Sequence, residues 1–60
     1  MKAYTFETPY GKEIVFSELA DDAWATIKKS VIQRGGALRK ISLSTVINIQ
    51  PGVVVHLSNL

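Results

Sequence analysis

Apolar and polar side chains alternate from Lys2 to Ser17. Tyr4 and Phe6 are interleaved with Ala3, Thr5 and Glu7, and Ile14 and Phe16 with Glu13, Val15 and Ser17. A period of two belongs to strands. Between the runs stands Thr8-Pro9-Tyr10-Gly11-Lys12, where Pro9 presets φ for the first central position of a turn and Gly11 can take a positive φ. The pattern predicts a β-hairpin over residues 2–17, with Tyr4, Phe6, Ile14 and Phe16 on one face. Four large apolar side chains on one side of two strands need a cover.

The period then changes to that of a helix. At 100° per residue Ala20, Ala23, Trp24, Ile27 and Val31 fall in one arc, with Glu18, Asp22, Thr26, Lys29 and Gln33 opposite. Ser17 can cap this helix, and Glu18, Asp21 and Asp22 lie near its start, with Lys28, Lys29 and Arg34 toward its end, as the macrodipole prefers. Gly35-Gly36 stops it. The predicted helix covers residues 18–34 and lies on the hairpin; Trp24 falls inside the buried arc and Ile32 outside it.

Beyond the glycines Ile41, Leu43, Ile47 and Ile49 share odd parity, a β pattern that fits one long strand or two short ones. Two are preferred, residues 38–43 and 46–50, separated at Ser44-Thr45, whose hydroxyls favour a local turn. Pro51-Gly52 reads as a type II turn, and residues 53–57 as a last strand. The expected fold is a single α+β domain over residues 1–60: a small antiparallel sheet with one helix packed on one face, ββαβ plus one or two carboxy-terminal strands over residues 38–57.

Charge sharpens this picture. All five carboxylate side chains (Glu7, Glu13, Glu18, Asp21, Asp22) precede Ala23, while Lys28, Lys29, Arg34, Arg39 and Lys40 follow it, so a net charge of +2 understates how basic the second half is. Those five residues are the candidate nucleic-acid contacts, since a basic patch attracts phosphate backbones through counterion release. No aromatic residue is interleaved among them for base stacking.

Composition bears on stability. A domain of this size buries only about 60% of the surface its unfolded chain exposes, and small chains generally need a staple. There is no Cys for a disulfide, and His56 is the only strong nitrogen ligand for zinc. Self-association remains, and with 47% hydrophobic residues a homo-oligomer is expected, a dimer first. Its candidate contacts are the off-face Ile32 and the apolar tail residues Val53, Val54, Val55 and Leu57, an edge in need of a partner.

Neither a targeting segment nor a membrane span is expected, because Met1 to Thr8 alternates and no apolar run approaches the roughly 20 residues a bilayer requires. With no Cys, a cytoplasmic setting is the expectation.

The order of hairpin, helix and a segment reading Ile41-Ser-Leu-Ser-Thr-Val-Ile-Asn-Ile-Gln-Pro51 resembles small proteins of phages and mobile elements in Gram-positive bacteria, although Ser42 and Thr45 stand where Asn is common in them. The resemblance implies a phage or mobile-element accessory protein and assigns no site residues.

Catalytic residues, cofactors and metal ligands are not expected. His56 alone titrates near neutrality and has no evident nucleophile or carboxylate partner, and the carboxylates at 18, 21 and 22 offer at most one or two oxygens on a helical face. Arg34-Gly35-Gly36 follows a helix carboxy terminus, the wrong end for a phosphate loop. Trp24 and Tyr10 are candidate interaction anchors. The function expected first is therefore a non-enzymatic module that binds, and can inhibit, another protein. The alternative is a small basic nucleic-acid-binding or regulatory protein.

Overall fold

A computed structural model describes residues 1–50. Two strands, β1 (Lys2–Thr8) and β2 (Gly11–Ser17), form a hairpin; a helix, α1 (Ala20–Gln33), follows; a single 3-10 turn (Leu38–Lys40) leads to β3 (Ser42–Asn48). The sheet is antiparallel with order β2-β1-β3. The α+β class read from the sequence is the observed one: α1 packs on one face, over β2 and β1.

The hairpin turns through Pro9 and Tyr10 alone, since Thr8 pairs with Gly11. The Thr8 hydroxyl closes the turn, accepting from Tyr10 N at 3.0 Å and donating to Gly11 O at 2.9 Å. Gly11 takes φ +107°, as the turn chemistry predicted.

A two-residue turn places residues of opposite parity across from each other in β1 and β2: Tyr4 with Val15, Phe6 with Glu13, Ala3 with Phe16, Thr5 with Ile14. Residues directly opposite share a face. The expected face of Tyr4, Phe6, Ile14 and Phe16 is thus corrected. Val15 joins Tyr4 and Phe6 beneath the helix, whereas Ile14 and Phe16 lie on the far side with Ala3 and Thr5. The five-residue reading of the turn shifted register by one, which exchanges the two faces of a strand.

The core lies between α1 and the hairpin. Tyr4, Phe6, Ala23, Ile27 and Val31 are buried together, with Val15, Trp24 and Ile41 half-buried against them. The Phe6 ring meets Trp24 edge-on, centroids 4.9 Å apart. The helix begins two residues later than expected, at Ala20, with Leu19 in the capping position. Ser17 does not cap it: the Ser17 hydroxyl accepts from Leu19 N and donates to Leu19 O, turning the chain out of β2.

The end of α1 is a complete Schellman motif. Gly35 adopts φ +82°, Gly36 N donates to Val31 O at 2.9 Å, and Gly35 N donates to Ile32 O at 3.0 Å. Gly36 serves a second purpose, because a Cβ there would stand 2.7 Å from Val31 Cγ1 and 3.0 Å from the Tyr10 hydroxyl.

Residues 38–40, expected to open a strand, form the 3-10 turn instead, and one strand stands where two were preferred. The expected break survives as a bulge. Leu43 pairs with Phe6 and Thr45 with Thr5, leaving Ser44 without a partner in β1. That extra residue brings Leu43 and Val46, three positions apart, to the same helix-side face opposite Phe6 and Tyr4. The expected strand over 53–57 lies outside the described residues.

Candidate functional site

The basic residues singled out from the sequence separate into two sets. Arg34 is committed to the fold: its guanidinium forks onto Glu13, with Nη1 to Oε2 and Nη2 to Oε1 both 2.6 Å, while Nε donates to Ser30 O and Nη2 to Ser30 Oγ. The Tyr10 ring lies against its other side, 4.5 Å from Cζ, and the Tyr10 hydroxyl donates to Arg34 O at 2.7 Å. This cluster ties the end of α1 to the hairpin tip.

Its electrostatics follow from the geometry. The two hydrogen bonds from Arg34 hold the Glu13 carboxyl below its ordinary value, partial desolvation opposes this, and the guanidinium charge adds to the lowering. Hydrogen bonding to Glu13 likewise raises Arg34. With the Arg34 and Glu13 side chains 38% and 27% exposed, the pair is screened by solvent.

Lys28, Lys29, Arg39 and Lys40 are exposed. Lys28 Nζ stands 5.6 Å from the Trp24 ring, a cation–π contact on the flank of α1. Arg39 and Lys40 lie in the 3-10 turn, which packs beside α1. Of the self-association candidates, Ile32 projects from α1 at 57% exposure; Val53, Val54, Val55 and Leu57, like His56, lie outside the described residues.

Two apolar surfaces emerge that periodicity alone did not separate. The first is the sheet face away from α1. There Phe16, 55% exposed, and half-buried Ile14 flank Ala3 and Thr5, which are themselves buried, with Thr45 and Ile47 on the other side; among the described residues no helix packs on it. The second is a shelf beside the helix. Because α1 lies over β2 and β1, the helix-side residues of β3, Leu43 and Val46, remain 39% and 45% exposed. On α1 itself, Asp21, Trp24, Ala25 and Lys28 line an open hollow of about 570 Å³. The signal for the shelf was the pair of residues at Ser44-Thr45, which reads as a break or as a bulge.

Among the described residues no three His, Asp or Glu side chains cluster to hold a metal ion, and no helix is long and apolar enough to cross a membrane. Comparison with protein-family models, curated proteins and solved structures finds no match to this chain.

Proposed function

We propose that this chain is a small non-enzymatic interaction module that works as a homo-oligomer, binding and blocking the surface of another protein. The observation that carries the reading is Phe16, 55% exposed at the margin of the sheet face away from α1, with half-buried Ile14 beside it, while Ala3 and Thr5 at the centre of that face are buried. A large aromatic side chain left in solvent beside an apolar neighbour on so small a sheet suits an anchor for a partner. The resemblance to phage and mobile-element proteins makes a host or phage protein of the bacterial cytoplasm the expected target.

Capture from a bacterial lysate, with the wild-type chain and Phe16→Lys as parallel baits, tests it. A protein retained by the wild type and lost with Phe16→Lys is the expected result. Recovery of the chain alone, by either bait, would remove the blocking role.

The nucleic-acid alternative draws on four exposed cations, Lys28, Lys29, Arg39 and Lys40, because the Arg34 guanidinium is occupied by Glu13 and Tyr10. It stands second because no exposed aromatic accompanies Arg39 and Lys40 in their turn.

A further inference from the structure

Asp21, Trp24, Ala25 and Lys28, which line the hollow on α1, are spaced as one stripe of a helix, at successive intervals of three, one and three residues. The stripe faces a definite direction. Trp24 meets Phe6 of the central strand, while Ser30 and Arg34, on the opposite flank of the buried arc, engage Glu13 of β2. The flank bearing Trp24 therefore faces the β3 side, above the Leu43–Val46 shelf.

The stripe is complementary to its own reverse. It carries an anion at one end, a cation at the other, and a large side chain beside a small one in the middle. We propose that α1 pairs antiparallel with α1 of a second copy, about a two-fold axis passing between Trp24 and Ala25. Reversal about that axis brings Asp21 against Lys28 of the partner subunit and Lys28 against Asp21 of the partner subunit. Each Trp24 then rests on the Ala25 of the other chain. Large against small, twice, is the arrangement that lets two helices interdigitate, and a two-fold contact requires a self-complementary patch of this kind. The second helix also covers the Leu43–Val46 shelf. This inference rests on the self-associating module proposed above and names its seam.

Charge exchange tests it. Asp21→Lys leaves cations at both ends of the stripe, and Lys28→Asp leaves anions at both, so each variant repels its own copy at two symmetric contacts. Each is expected to weaken the homodimer roughly tenfold or more, read by sedimentation equilibrium, with helix content confirmed by circular dichroism. An equimolar mixture of the two variants places opposite charges at both contacts and is expected to restore a dimer, as is the double variant Asp21→Lys/Lys28→Asp. A wild-type dimer that both single variants leave intact overturns the inference, as do folded single variants that neither the mixture nor the double variant rescues; self-association through another surface then survives. A wild-type monomer at several hundred micromolar overturns the inference and the homo-oligomer together, while the lysate capture through Phe16 stands or falls by itself.

Discussion

Tyr10 and Arg34 hold each other twice: the phenol donates to the Arg34 carbonyl at 2.7 Å, and the guanidinium returns across the Tyr10 ring at 4.5 Å. One residue sits in the hairpin turn and the other at the helix C-cap, so the contact joins elements that the sequence separates. Glu13 completes the junction by taking both guanidinium nitrogens.

Acid should loosen this corner. Glu13 has its folded-state pKa lowered, first by the hydrogen bonds from Arg34, so its contribution is complete above the ordinary glutamate value of about 4.3 and is lost as pH falls through the lower folded value. Urea midpoints followed by Trp24 fluorescence should drop below about pH 4.5 in the wild type. Glu13→Gln should flatten that part of the drop. An unchanged pH profile in Glu13→Gln would show that the pair adds nothing to stability.

The hairpin register predicts opposite fates for two phenylalanines. Phe6 is fully buried and Phe16 mostly exposed, so Phe6→Ala should cost about 3–5 kcal/mol, enough to unfold much of a domain whose core supplies roughly that amount. Phe16→Ser should change stability by no more than about 0.5 kcal/mol. Chemical denaturation of the two variants checks this, and equal losses would point to the other register.

The two glycines after α1 should fail for different reasons. Gly35→Ala places a Cβ in open space but at a left-handed backbone angle, φ +82°, costing about 1–2 kcal/mol. Gly36→Ala instead drives a methyl against Val31 and the Tyr10 hydroxyl, an overpacking cost of about 1–3 kcal/mol. Tyr10→Phe removes one of the crowding atoms and should recover part of the Gly36→Ala loss while leaving Gly35→Ala unimproved. Thermal melts of the three single and two double variants separate the two effects.

Nucleic-acid binding should be weak. In a low-salt gel shift no DNA or RNA complex is expected at tens of micromolar protein, since non-specific binding of a competent basic patch is measurable there. A complex whose affinity falls steeply with salt, and whose salt slope flattens in Arg39→Ala/Lys40→Ala by roughly one unit per lost contact, would instead favour the alternative function.

Periodicity carried the fold class, the helix and most of its buried stripe: Ala23, Ile27 and Val31 are buried and Trp24 half-buried, whereas Ala20, expected in the same arc, is exposed because it is the first residue of the helix. It misassigned the hairpin faces because Ile14, Val15 and Phe16 are consecutive apolar residues and either parity yields an apolar face; the length of the Pro9-Tyr10 turn decided between them. The helix start shifted because the Ser17 hydroxyl satisfied the backbone of Leu19 rather than the first turn. Arg34 could be counted as a basic residue from sequence, yet its pairing depends on Glu13, which only the folded hairpin brings within reach. The Leu43–Val46 shelf was hidden for a similar reason, since strict alternation puts residues three apart on opposite faces and the Ser44 bulge puts them on one.

The strand order β2-β1-β3 also governs when this sheet can close. Its central strand is the first in chain order, and one side of that strand waits for β3, some forty residues downstream by the Lys2–Asn48 and Glu7–Ser42 pairings. Hairpin and helix can assemble from nearby segments, but β3 must close the long loop before its pairing is rewarded. During synthesis, therefore, β1 has a hydrogen-bonding edge open until the chain past Asn48 has emerged, and stalled or truncated products ending before β3 are the species most exposed to edge-to-edge aggregation.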